Sequence, residues 1–165
     1  MTKIGSAATA KVIERITGST GVNSTLGALT QPDSGLAGPI MRAQVNPRNA
    51  SADVVGRSGP AKFPTINVYC EKIVNNLMEK FRSFSGNVQM AIEIRHSQDR
   101  LDGLEAALEL YIDSATQMLD SERGDWGDGM YYAGGYEVTF GPVKSGGRNL
   151  IQTAKIMFEI GVSKN

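Results

Sequence analysis

The chain has 165 residues, of which 41% are hydrophobic, and its 17 Lys and Arg equal its 17 Asp and Glu, so the formal charge is zero. This is a length for one domain with a real core, and the balanced charge excludes the basic excess by which a protein grips nucleic acid over its whole surface. Cys70 is the only cysteine, which rules out an internal disulfide and a cysteine-based zinc site.

No window approaches the ~18 consecutive apolar residues that span a bilayer, and the first residues, MTKIGSAATAKVIERI, hold no uninterrupted hydrophobic run. The expectation is a soluble protein, unprocessed and intracellular when it folds, with no membrane partner. In chain order, Ala8, Val12, Ile13 and Ile16 recur at helical spacing and predict a short amphipathic helix over Ala7 to Thr17, stopped by Gly18. From 18 to 63, Gly, Ser, Asn, Thr and Pro dominate, and apolar residues stand singly (Leu26, Leu29, Ile40, Val45) or as the pair Val54-Val55. Such a stretch is expected to be an extended arm or long loop, with Ile40 to Val45 its best strand candidate, because it has too few large apolar residues for a core.

Alternation then sets in. Ile66, Val68 and Cys70 alternate with Thr65, Asn67 and Tyr69, which places Cys70 as a small buried hydrophobe. Residues 71 to 86 read as a polar connection pinned by Ile73, Leu77, Phe81 and Phe84. In Asn87 to His96 one face carries Val88, Met90, Ile92 and Ile94, and the other Gln89, Ala91, Glu93 and Arg95, so this strand belongs to a sheet packed on one side. The longest amphipathic pattern follows, from Asp99 to Glu122. Leu101, Leu104, Leu108, Tyr111, Ile112, Ala115, Met118 and Leu119 form its stripe, Glu105, Glu109, Asp113 and Gln117 its wet face, and Asp99 or Asp102 its N-cap. This helix is the natural cover for the sheet.

A glycine-punctuated loop, GDWGDG, leads into Met130 to Phe140, where Tyr136, Val138 and Phe140 share a face and Gly134-Gly135 interrupts the strand as a bend would. A second loop, Lys144 to Asn149, precedes the cleanest alternation in the chain, Gln152 to Ser163. The fold expected is a single α+β domain over 1–165, with one mostly antiparallel sheet covered on one face by a long helix, a short N-terminal helix, the arm at 18–63 and a compact core at 64–165.

No catalytic constellation emerges. His96 is the only histidine, so neither a triad nor a two-histidine metal site can be built on it. GDWGDG lacks calcium-loop spacing and SGGR lacks the phosphate-loop signature. Neither a cofactor nor a metal is expected. The long strands with a second face of mixed character, and the arm, instead suggest a subunit that covers its edges with copies of itself.

The segments FPTINVYCEKI, EKFRSFSGNVQMAIEIRHSQDRLDGLEAALELYIDS, GDWGDGMYYAGGYEVTFGPVKSGGRN and QTAKIMFEIGVS together resemble, in the order and style of their elements, the tail terminator (tail completion) proteins of tailed bacteriophages. The resemblance covers the last two thirds of the chain. It implies a non-enzymatic virion protein, assembled in the host cytoplasm as a hexameric ring that caps the tail tube, ends its polymerisation and presents the head-tail joining surface. The implied partners are other copies of the chain, the tail tube protein, the sheath and a head-completion or neck protein, with DNA passing through the lumen unread. The residues expected to make these contacts are Asp125, Trp126, Asp128, Tyr131, Tyr132, Lys144, Arg148 and Asn149 in and beside the glycine loops, and Arg42, Arg48 and Arg57 in the arm. A neck or head-completion protein is the nearest alternative; a different class is a small enzyme or ligand-binding domain with a pocket at His96, Asp99 and Tyr131-Tyr132.

Overall fold

The sheet is built on two long strands whose apolar alternation runs their whole length. A computed structural model of the chain describes residues 3–30, 38–49 and 62–165. In order these form α1 (Ile4–Thr17), α2 (Val22–Thr30), a 3₁₀ turn at Arg42–Gln44, β1 (Val45–Asn46), β2 (Thr65–Asn75), β3 (Phe84–Gln98), α3 (Leu104–Ser121), β4 (Gly124–Gly127), β5 (Met130–Tyr132), β6 (Glu137–Phe140), β7 (Lys144–Gly146) and β8 (Asn149–Lys164). The α+β class, with one mostly antiparallel sheet beneath a long helix, is as expected.

β3 pairs antiparallel with β2 on one side and with β8 on the other, Phe84 opposite Lys164 and Gln98 opposite Leu150. The far margin of β8 is shared by three short strands: β5 at its C-terminal end, β6 in the middle and β7 at its N-terminal end. Gly134 and Gly135, both at positive φ, make the break between β5 and β6. One face of the sheet gathers Ile66, Val68, Val88, Met90, Ile92, Ile94, Ala154, Ile156, Phe158 and Ile160, all buried. α3 lies over β3 and β8 on this face, α1 lies over β2 and β3, and α2 packs on α3.

The structure departs from the sequence-based expectation in four places. The arm is not loop throughout: residues 22–30 are α2, whose Val22 and Leu26 are buried. Its weak apolar signal is supplemented by polar ties. Asn23 donates its amide to the Ile40 carbonyl and accepts from the Ile40 N–H, both at 2.7 Å, and Gln44 donates to the Pro64 carbonyl at 2.8 Å. Val54-Val55, like the rest of 50–61, lies outside the described residues, and the strand expected over 40–45 is mostly the 3₁₀ turn followed by β1.

Second, α3 starts at Leu104 after a left-handed Gly103, not at Asp99 or Asp102. The Gln98 side-chain amide donates to the carbonyls of Arg100 and Asp102 at 2.8 and 2.6 Å, holding 99–103 as a turn, so Leu101 is 63% exposed and leaves the stripe. Third, β2 runs on to Asn75, and of the pins expected between the strands only Phe84 is fully buried. Fourth, Cys70 is only partly buried, because it faces the rim of a groove, and Tyr136 and Phe140 are exposed beside a half-buried Val138.

Candidate partner-binding surfaces

β8 has 16 residues and spans about 50 Å at ~3.3 Å per residue, so it holds apart whatever lies at its ends. At one end sit the 76–83 loop between β2 and β3, the Asp125–Gly129 turn and the last residues of β8. Ser83 N–H donates to the Lys164 carbonyl, Ser163 N–H donates to the Gly129 carbonyl, both at 2.8 Å, and Ser163 Oγ bonds Glu79 at 2.6 Å. At the other end sit the β7–β8 hairpin, His96 and the turn before α3. The contact residues expected from the sequence therefore do not form one surface: Asp125, Asp128 and Tyr131 belong to the first end, and Lys144, Arg148 and Asn149 to the second.

Trp126 and Tyr132 leave the list of surface residues altogether. Trp126 is buried, its indole N–H donating to the Glu122 carbonyl at 2.6 Å, and the Arg15 guanidinium lies 5.6 Å over its ring while bonding Glu122 at 2.9 Å. Tyr132 lies between Trp126 and Phe158, with ring centroids at 5.4 and 5.6 Å, and donates its hydroxyl to the Gly135 carbonyl. Burial first, then the Asp120 charge, pushes its hydroxyl up to about 12. Both aromatics belong to the core: β5 buries Met130 and Tyr132 on one face and leaves Tyr131 between them exposed, and Trp126 of the paired β4 joins them. Asp125 accepts from the Gly127 N–H and Asp128 pairs with Lys11 at 3.1 Å, so both serve the turn while staying exposed. Lys144, Arg148, Asn149, Arg42 and Arg48 are exposed, Arg42 donating to the Val45 carbonyl; Arg57 lies outside the described residues.

The pocket that would join His96 to Tyr131 is not formed. His96 pairs opposite Gln152 and Tyr131 opposite Gly161, roughly 30 Å apart along β8 at ~3.3 Å per residue. His96 packs its ring on Tyr111, with centroids at 5.5 Å, and burial lowers its pKa against a smaller opposing effect from the Gln98 hydrogen bond. The sheet's second face carries ion pairs and hydrogen bonds rather than apolar rows. Lys155 pairs with Glu71, and the Tyr69 hydroxyl donates to Glu93, burial and that carboxylate raising its pKa. Among the described residues no three His, Cys, Asp or Glu side chains gather to hold a metal, and no helix is long and apolar enough to cross a membrane.

The surface the sequence reading missed is the loop at 76–83. Leu77, Met78 and Phe81 are 58%, 77% and 98% exposed, and Leu77 and Phe81 hold left-handed φ values of 47° and 62°. Bulky residues rarely adopt that conformation, and a cost of ~1 kcal/mol each is the usual scale. The signal was present as three large apolar residues in a short polar stretch between alternating strands, and it reads equally as pins into a core. On the long edge of the sheet lies a groove of about 820 Å³ between α1 and the margin of β2 that no described strand pairs beyond Asn67, lined by Thr9, Ala10, Ile13, Cys70, Ile73 and Arg42 among others. A Cβ at Gly5 would stand 3.2 Å from Cys70 Cβ, so the glycine lets α1 close down on the strand and form the groove floor.

Compared with models of known protein families and with curated proteins, the chain matches none.

Proposed function

We infer that this chain is a structural subunit that works by assembling, and that its assembly is the tail terminator ring of a tailed phage or phage-like particle. The observation that carries the reading is the concentration of Leu77, Met78, Phe81 and Tyr131, 56% exposed, at one end of a subunit about 50 Å long, with the glycine-rich, basic hairpin Lys144–Asn149 at the other. Contiguous apolar surface of this kind marks a contact waiting for a partner, and two chemically different ends suit a part that joins two different neighbours. In this role the α+β core supplies rigidity, the apolar end meets protein, and Lys144 and Arg148 face the lumen, where phosphates pass without being read.

The test is to add the purified chain to polymerising tail tube protein. Shortened tubes with a ring at one end in negative stain are the expected result; tubes of unchanged length with bare ends would overturn the assignment. Labelling the subunit in intact particles then separates a terminator at the tube end from the neck or head-completion alternative by position.

A further inference from the structure

We propose that the apolar tip of one chain, Leu77, Met78 and Phe81, seats in the α1–β2 groove of a second copy, a head-to-tail contact repeated from subunit to subunit. The proposal rests on the assembly reading and names its contact. Phe81 is 98% exposed, so the tip does not occupy the groove of its own chain. The tip is held out instead: Leu77 and Asn76 donate their N–H groups to the Ser85 carbonyl, Ser83 donates to Lys164, and Glu79 is fixed by Arg82 at 3.2 Å and by Ser163. This bracing fixes the loop's direction before any partner arrives, which reduces the ordering cost of docking.

The groove fits the tip in chemistry and in size. Ala10, Ile13, Ile73 and Cys70 give it an apolar strip, with Ser6, Thr9, Tyr69 and Arg42 as polar groups at its margins, and its volume of about 820 Å³ falls in the ~300–1,000 Å³ range of small-molecule pockets, room enough for one large aromatic side chain. With a large aromatic side chain carrying ~150–250 Å², the three residues at their observed exposures present on the order of 400 Å². That is about half of the ~800 Å² per partner in a standard interface. The adjoining surface supplies more, since Val74 is 39% exposed and no described strand pairs with β2 beyond Asn67 on that margin. Direct strand addition there is disfavoured by the bulge between Cys70 and Lys72 and by the charged Glu71 and Lys72, so side-chain docking is the contact this edge permits. Tip and groove are different surfaces of one molecule, so the contact is heterologous, and such contacts close into rings when the rotation allows.

The experiment is disulfide trapping in the full chain. Cys70→Ser removes the native thiol, and Met78→Cys with Ala10→Cys then places one thiol on the exposed tip and one on the exposed groove wall, leaving Phe81 in place. Mild oxidation is expected to give a ladder of covalent multimers in the double-cysteine protein and none beyond dimer with Met78→Cys alone. Phe81→Ser, at a position too exposed to affect folding, is expected to raise the concentration for assembly about tenfold or more, as losing a buried aromatic anchor does. Light scattering on the same samples separates the failures. Assembly without a ladder overturns the tip-to-groove contact and leaves the ring standing. Dimers equally strong in Met78→Cys alone, which indicate tip against tip, overturn it too, as does sedimentation of the unassembled protein with phosphatidylserine vesicles. A monomer at every concentration overturns both.

Discussion

Phe81 is the residue whose environment fits a lone monomer least well. A phenyl ring 98% in water gains nothing from burial, and its φ of 62° is a conformation that Asn tolerates far better than Phe. Phe81→Asn is therefore expected to leave folding stability unchanged or raise it by up to ~1 kcal/mol in chemical denaturation while weakening assembly about tenfold or more, as Phe81→Ser does; a stability loss would show that the ring supports its own chain. His96 gives a second prediction at this scale. Burial holds its imidazole below the ordinary value of 6.5, so the unfolded chain takes up that proton more readily than the folded one. The stability it confers is complete above pH 6.5 and is lost as pH falls from there through the lower value the imidazole has in the folded chain. His96→Gln is expected to flatten the fall in melting temperature between about pH 7.5 and about pH 5.5 relative to the parent, and an unchanged slope would contradict it. Single residues were the least legible part of the sequence. Trp126 and Tyr132 look like surface anchors in a glycine-rich loop, and nothing local shows that β4 and β5 turn them inward. Leu77 and Phe81 look like pins, and only the backbone reveals that they point out.

Among the elements, the long ones were readable and the short ones were not. The alternation of β3 and β8 and the stripe of α3 follow from period alone, because burial on one face leaves no other register that hides the same side chains. α2 escaped because Gly, Ser and Thr fill it, and its two buried apolar residues, Val22 and Leu26, are four apart with nothing else to mark a helix. What holds it is tertiary: Ser114 Oγ donates to the Val22 carbonyl at 2.6 Å and Thr25 Oγ1 lies 2.8 Å from Ser114 Oγ. Those same contacts bury Ser114 on a side of α3 that periodicity assigns to neither core nor solvent. Leu26→Ala is expected to cost about 2–5 kcal/mol, as deletion of a buried leucine does, and to release amide protection in α2 before α1 or β3. A loss below ~1 kcal/mol would mean that α2 is held by its polar ties alone.

At the scale of the molecule, strand length sets what the two ends can do. β3 and β8 run the full height of the subunit, so the residues beyond them stand far apart and answer to different neighbours, while the helical layer above keeps them rigid. The class of fold was legible because it depends on those long elements. The contact surfaces were legible only in part, since the glycine loops announce themselves by composition whereas the tip and groove exist only once β2 continues past Asn67 and α1 settles through Gly5 onto Cys70. A subunit that works by assembling must associate through these surfaces. The molar mass in light scattering, followed across protein concentration and with tail tube present, tests it most directly. A ring-shaped particle whose mass is a whole multiple of the 17.7 kDa chain is predicted, and 17.7 kDa at every concentration, unbound to tube, would contradict it.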